Sequence, residues 1–403
     1  MFERPISVLH FSNTLVRGGV EEHILTLLRG LDRRYFRLYL VCTPEVAIKL
    51  QPDLPGDVEL MPLCLMQPSL IASAFRLAQI IRKHRVDILH SHLFYSSLFA
   101  SPIGRLCRVP VIIETPHVRE LWRRGLVKSH FVVDRLAGRF VDYYVAVSHA
   151  NARYLVQQKG LPPDKITVIH NGCDLRQFDP ARSVPSDLKE TLGFGASDPV
   201  LVVIGRLEPQ KGHRVLLEAL PLIRREFPQV RLVCVGEGTL RGNLERQVCS
   251  LESEVSVRFV GYQANVADWL ALADVSVLPS FYEGLPLAAI ESLAAGRPMV
   301  ATAVDGTPEV VVDGKTGFTV PPGDAMRLAQ AICRLLSNQE LRQVMGCAGR
   351  EWVQERFSEE RQIQRTGELY LNAWEKRRRR QKIGSRIAPV RGTRAHGETL
   401  LTK

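Results

Sequence analysis

Two stretches of the chain carry side chains suited to chemistry. In Gly205-Arg206-Leu207-Glu208-Pro209-Gln210-Lys211-Gly212, two cations leave the end of the apolar run VLVVI, ahead of a helical pattern. At this spacing Arg206 and Lys211 can face one anion. Gly205 and Gly212 allow tight backbone geometry, and the helix that follows offers free N–H groups. A phosphate or diphosphate suits the set. Two solvated loop cations are the plainer reading, and spacing alone does not choose between them. In Glu283-Gly284-Leu285-Pro286-Leu287-Ala288-Ala289-Ile290-Glu291, two carboxylates lie eight residues apart after the run VSVLPS. Pro286 suits a first helical turn, and Glu291 falls about two turns in. Glu291 stands in an almost uncharged helix, where a carboxylate needs a partner. That partner is either a structural Lys or Arg, or the hydroxyls of a ribose. The position just beyond a strand favours the ribose.

Weaker signals lie elsewhere. Gly18-Gly19 precedes a helix, where glycines let a phosphate or sugar approach the backbone; a plain turn explains the pair equally well. His117 follows the run VIIETP and can face a cleft as a hydrogen-bonder. His90 and His92 alternate along a strand and share a face. A metal site with His117 is conceivable but lacks H-E-x-x-H or a ligand-spaced acid, so no metal is expected. Gly236-Glu237-Gly238 begins like a dinucleotide fingerprint, but its third glycine, Gly242, falls one residue late. No Asp-x-Asp pair occurs, so a bound diphosphate would rely on Arg206, Lys211 and backbone N–H groups.

Positioning these residues requires a scaffold. Apolar, β-branched runs at Ile6–Phe11, Leu38–Cys42, Ile88–His90, Val111–Glu114, Tyr143–Val147 and Ile166–Ile169 alternate with amphipathic stretches at Glu21–Leu31, Ile71–His84 and His149–Lys159. Such alternation predicts βαβ units and a parallel sheet. Asp179–Pro199 holds three prolines and no long apolar run and reads as a linker. A second series follows. Its strands are Val200–Ile204, Arg231–Val235, Val257–Val260, Val275–Leu278, Met299–Ala301 and Gly317–Val320. Its helices are His213–Glu226, Leu240–Cys249, Leu287–Ala295, Ala325–Ser337 and Glu340–Arg356. The fold class is therefore α/β: two doubly wound, Rossmann-like domains facing a central cleft, where ligands sit beyond the carboxyl ends of the strands. The boundaries are 1–180, 181–357, a last helix at 358–376, and a basic tail at 377–403 expected to be disordered.

Length and charge agree. A chain of 403 residues suits two domains. Of its net charge of +11, residues 376–403 carry +9, so the body is nearly neutral and nucleic-acid binding ranks last. Eight cysteines without a C-x-x-C pair suggest neither zinc nor redox chemistry. The N-terminal residues lack a signal-like apolar run, and the longest uncharged stretch, Leu60–Phe75, holds Pro62 and Pro68. A cytoplasmic protein without a membrane anchor is expected.

From about Ile6 to Phe357 the chain resembles a retaining GT-B glycosyltransferase of family 4. The resemblance rests on LHFSNTLVRGGVEEHILTLLRGL, the Thr-Pro-His segment, VSHANARYL, ITVIHNGCDLRQFDP, VIGRLEPQKGHRVLLEAL and VCVGEGTLRGNLE. Above all it rests on LPSFYEGLPLAAIESLAAGRPMVATAVDGTPEVVVDGKTGFTVPPGD. It implies that Arg206 and Lys211 bind the donor diphosphate, Glu291 the ribose, and Glu283 the transferred sugar. Gly284, Leu285 and Pro286 would offer backbone groups, Gly18 and Gly19 would line the donor phosphate, and His117 would sit beside the donor sugar. His117 and Glu283 are thus the expected catalytic pair. The resemblance also implies no metal or cofactor beyond the donor, retention at the anomeric carbon, and a last helix crossing back to the first domain. The expected reaction moves a sugar from a nucleotide-diphosphate sugar, with UDP- or GDP-sugar put first, to a glycan or lipid-linked acceptor in polysaccharide or glycolipid synthesis. A nucleotide-sugar epimerase and a non-catalytic nucleotide-sugar-binding protein are the competing readings. The basic tail at 376–403 suits an anionic membrane surface, with Trp122, Arg123, Arg124 and Lys128 as a second patch. Lys211→Ala is expected to cut turnover and leave the fold intact.

Overall fold

The computed structural model describes residues 4–65, 69–118, 129–184 and 187–386. The patch at Trp122–Lys128 and the tail from 387 onward lie outside the described residues.

The first domain runs β1 (Ile6–Ser12), α1 (Gly19–Gly30), β2 (Phe36–Cys42), α2 (Pro44–Leu50), β3 (Glu59–Pro62), α3 (Leu70–Lys83), β4 (Ile88–His92), α4 (Phe94–Leu106), β5 (Val111–Thr115), α5 (Ser129–Ala137), β6 (Tyr143–Ala146), α6 (His149–Gln157) and β7 (Ile166–Val168). The second runs α7 (Leu188–Thr191), β8 (Val200–Ile204), α8 (His213–Glu226), β9 (Arg231–Val235), α9 (Arg241–Ser250), β10 (Val257–Gly261), α10 (Val266–Leu272), β11 (Val275–Leu278), α11 (Leu287–Ala294), β12 (Met299–Thr302), α12 (Thr307–Val310), β13 (Gly317–Val320), α13 (Ala325–Leu336) and α14 (Gln339–Arg356), and a last helix, α15 (Glu359–Arg386), follows.

The strands form two parallel sheets, ordered β3-β2-β1-β4-β5-β6-β7 and β10-β9-β8-β11-β12-β13. Their central strands read as near-continuous apolar runs because helices cover both faces. β1 is buried at every position and β8 at all but its last. In both sheets the strand order reverses beside the first strand, between β1 and β4 and between β8 and β11. Such reversals open a crevice beyond the strand ends. The loops after β1, β8 and β11 carry Gly18-Gly19, Arg206–Lys211 and Glu283–Pro286.

Several elements depart from expectation. β3 is a short edge strand ending in Pro62, and α4 carries an internal Pro102, which reads as a breaker in sequence. The stretch expected as a linker contains α7, and Leu192 and Phe194 are buried against Val200, Val233 and Trp269. Leu188 and Leu192, four residues apart, and Phe194 beyond the helix end all pack on this one apolar cluster, which outweighs the flanking prolines. α15 continues as helix to Arg386, through the KRRRRQK run expected to belong to the disordered tail. Lys and Arg are good helix formers, and cations near a helix C-terminus complement its dipole.

The chain crosses between domains twice. The return crossing is at Phe357–Glu359, where the Cys173 N–H donates to the Phe357 carbonyl and the Glu359 N–H to the Cys173 carbonyl. α15 then packs on the first domain: Tyr370 and Ala373 join the core formed by Ile24, Leu28, Phe36 and Ile88.

Candidate active site

The loop after β8 turns at Gly212, whose φ of 65° is left-handed. A Cβ there would overlap the Pro279 carbonyl oxygen, so only glycine brings the start of α8 this close to the end of β11. The consequence is a contact between the two motifs. Lys211 Nζ lies 2.6 Å from Glu283 Oε1, which also accepts from Ser280 Oγ at 2.7 Å. The Glu283 N–H donates to Asp305 Oδ2 at 3.1 Å. Arg206 is exposed, and its Nη2 donates to Gln210 Oε1 at 3.3 Å. Expected phosphate ligands thus meet a carboxylate: Lys211 is already paired with Glu283.

Glu291 lies on α11, partly exposed and facing the first domain. Burial first, and then the Glu22 carboxylate on α1, push its carboxyl up to about 7, against the pull of Lys211. Gly19 opens α1 directly opposite; a Cβ there would lie 3.6 Å from Leu287 Cδ1. The Gly18 N–H donates to Glu21 Oε2 at 2.9 Å, which satisfies one free amide of the helix start. Leu285 is buried, and its carbonyl accepts from Asn171 Nδ2 at 3.3 Å. Pro286 caps α11.

Gly284 sits where the domains meet. A Cβ on it would overlap the His117 carbonyl oxygen. Its own carbonyl accepts from Ser148 Oγ at 3.0 Å, and the same Oγ caps α6 by accepting from the Asn151 N–H at 3.0 Å. Beside it, the Glu309 carboxylate accepts from the His149 and Ala150 N–H groups at 3.0 and 2.8 Å and lies 3.0 Å from His170 Nε2. Burial raises the Glu309 carboxyl, but these bonds, that from His170 first, outweigh it and hold the group below its ordinary range. Gly19, His117, Gly284–Pro286 and Glu291 thus gather at one interdomain seam, with Lys211 joined to it through Glu283. Arg206 stands apart at the exposed rim.

His117 is buried and belongs to a cluster that sequence reading found only in part. β1 and β4 pair with His10 opposite His90 and Ser12 opposite His92. His10 Nδ1 lies 3.0 Å from His92 Nε2, and His92 Nδ1 lies 3.1 Å from His117 Nε2. His90 bonds Tyr370 Oη at 2.5 Å and Thr115 Oγ1 at 2.7 Å. His23 stands edge-on to His117, with ring centroids 4.7 Å apart. Burial, with neighbouring imidazoles adding to it, depresses every one of these but His23, whose pKa burial alone lowers to about 4. The rings are neutral at neutral pH. One nitrogen each of His10, His90 and His92, and of His23, His92 and His117, lie within 4.8 Å, a spacing a metal ion could use. His10, His23, Ser148, Asp305 and Glu309 were not singled out in sequence. For His10 the usable signal is its alternation with Val8 on the strand facing His90.

Two family models match the chain: "Glycosyltransferase Family 4" over residues 17–177 and "Glycosyl transferases group 1" over residues 198–338. Glycogen synthase of Mycobacterium tuberculosis is 30% identical over 301 residues, 72% of this chain and 70% of that protein. The chain belongs to glycosyltransferase family 4. This glycosyltransferase is also 26% identical, over 91% of its length and 97% of the other's, to the Escherichia coli UDP-Gal:alpha-D-GlcNAc-diphosphoundecaprenol alpha-1,3-galactosyltransferase. Its fold matches Anabaena HepE in complex with UDP-glucose at a TM-score of 0.81, with 22% identity, covering 91% of this chain and all of that one. The architecture is GT-B, and the enzyme is a hexosyltransferase that uses a nucleotide sugar. No helix among the described residues is long and apolar enough to cross a membrane.

Proposed function

We propose that this glycosyltransferase moves a hexose, with retention and without a metal ion, from a UDP-sugar to a lipid-linked glycan. The observation that carries the donor half is the convergence of loops at the two strand reversals: Gly18-Gly19 from one domain, and Lys211, Glu283–Pro286 and Glu291 from the other. Glu291 takes the ribose hydroxyls. Lys211, Arg206 and the amides of Gly284 and Leu285 receive the diphosphate. As the donor breaks, charge grows on the leaving diphosphate, and cations fixed in a closed cleft stabilise it there. Glu283 is tied to Lys211 and Ser280, which suits sugar positioning better than nucleophilic attack. The acceptor then attacks from the leaving-group side, and the departing phosphate oxygen takes its proton. His117, neutral and buried, contacts a donor-sugar hydroxyl. The absence of an Asp-x-Asp pair supports metal independence. The galactosyltransferase likeness, near full length on both chains, supports UDP and a polyprenyl-diphosphate acceptor.

Such an acceptor lies in a membrane, and the helical run Lys376–Arg380 suits attraction to the anionic cytoplasmic leaflet. Lys376, Arg377 and Arg379 are exposed on α15.

The test is a thermal-shift panel of UDP, GDP, ADP, CMP and dTDP in EDTA and in Mg²⁺. Ligand at a hundred times its Kd adds about 2.7 kcal/mol. UDP alone should stabilise the protein, equally in EDTA, and labelled UDP-sugar should pass to a polyprenyl-diphosphate glycan with the anomeric configuration kept. Conversion of the donor without acceptor would indicate an epimerase. Stabilisation by UDP without transfer to any glycan would refute the enzymatic reading. Sedimentation with anionic liposomes tests the membrane reading; equal binding by a chain ending at residue 375 would sink it.

A further inference from the structure

The imidazoles of His10, His92 and His117 form a continuous row across the first domain. Each contact is nitrogen to nitrogen: His10 Nδ1 to His92 Nε2 at 3.0 Å, then His92 Nδ1 to His117 Nε2 at 3.1 Å. The rings run nearly parallel, with interplanar angles of 18° and 28°. All three are buried. Each link needs one N–H and one lone pair, and a neutral imidazole has one of each. The row therefore has only two states. In one, every ring is protonated at Nδ1 and donates toward His117. In the other, every ring is protonated at Nε2 and donates toward His10.

His10 Nε2 decides between them, because it is buried and has no hydrogen-bond partner among the described residues. The second state would leave an N–H there with nothing to accept it. The first leaves a bare lone pair. Buried orphan N–H groups are the rarer and costlier of the two.

We infer that His10 and His92 are positioning residues that hold His117 in the Nδ1–H tautomer, so that His117 meets the reacting sugar as a hydrogen-bond donor through Nδ1. Free imidazole in water favours the opposite tautomer, so the selection is made by the row. The tautomer follows from the row and the buried His10 Nε2 at its end; its use in catalysis rests on the reading of His117 as a sugar contact.

The experiment separates the two. Long-range ¹H–¹⁵N correlation spectra of histidine-labelled protein report which ring nitrogen carries the proton. The His117 signals are assigned by their loss in His117→Gln. Wild type should show Nδ1–H at His117. His92→Asn keeps an amide donor near the position of Nδ1 and should keep that tautomer; His92→Leu removes the donor and should release His117 to Nε2–H. With UDP-glucose as donor probe, His92→Leu should lower kcat about tenfold, the loss of one oriented hydrogen bond, and His92→Asn by no more than about threefold. UDP should stabilise all three proteins equally. Nε2–H at His117 in wild type would overturn the inference even if no variant folds, as would an unchanged tautomer in folded His92→Leu. The expected tautomers without any transfer activity would instead refute the catalytic reading and leave the row intact.

Discussion

Lys211 and Glu283 offer the sharpest test of how the proposed donor loops are built. Their side chains are 15% and 6% exposed, and the ammonium and carboxylate lie 2.6 Å apart. Truncating Lys211 leaves Glu283 nearly buried, with Ser280 Oγ as its remaining side-chain donor. Removing one partner of a buried pair costs about 3 kcal/mol or more. For a domain of this size that is roughly 6–12 °C in Tm. Glu283→Gln is milder, about 1 kcal/mol, because the more exposed Lys211 can turn to water. Lys211→Ala with Glu283→Gln should therefore be more stable than the sum of the single changes predicts, by about 2 kcal/mol. Urea unfolding of the four proteins measures this directly. UDP stabilisation should vanish in both proteins lacking Lys211 and persist in Glu283→Gln. The expectation from sequence, that Lys211→Ala spares the fold, thus becomes a folded but measurably weaker protein. Additive single changes, or a Lys211→Ala protein as stable as wild type, would refute the argument.

Two further predictions follow from the seam. Glu291 has a carboxyl raised to about 7, so the native state holds a proton that the unfolded chain releases near 4.5. Stability from this group is present below the unfolded value and falls as pH rises toward 7, by roughly 2–3 kcal/mol. Glu291→Gln should therefore be the more stable protein at pH 7.5 and lose that slope. UDP-glucose affinity should rise severalfold from pH 6 to 8 in wild type, as the carboxylate proposed to accept ribose hydroxyls forms, and stay flat in Glu291→Gln; calorimetry across that range checks it. Gly284→Ala places a methyl group against the His117 carbonyl and should force the domains apart. Small-angle scattering should show an increased radius of gyration, with transfer lost and UDP binding to the second domain retained.

Much of the scaffold was legible because parallel strands buried on both faces leave short apolar runs between turn signals. Val200–Ile204, Arg231–Val235, Val275–Leu278 and Gly317–Val320 match the structure to the residue. β3 and α4 are absent from the sequence expectation and each contains a proline, Pro62 and Pro102, while α2 and α10 are seven residues long and show little periodicity. The residues singled out as donor-loop candidates could be read from sequence because they lie in compact segments beyond strand ends. Their partners were not. Ser148 meets Gly284 from 136 residues away, and Glu309 meets Ala150 from 159. Such pairs appear only once two sheets and two crossings have set the domains edge to edge. The histidine row lies between these cases: the alternation of His90 and His92 is local, but pairing them with His10 needs the β1–β4 register.

The second crossing also bears on how the protein is made. The core around Phe36 and Ile88 is closed by Tyr370, which leaves the ribosome more than three hundred residues after Phe36. A domain usually folds as soon as its own segment has emerged. Here the first domain must wait, its α15 groove uncovered, while the whole second domain is synthesised and folds between the two halves of its partner. Completion of the first domain therefore reports that translation has passed residue 370, and a chain that stops before it keeps an open apolar seam for quality control to recognise.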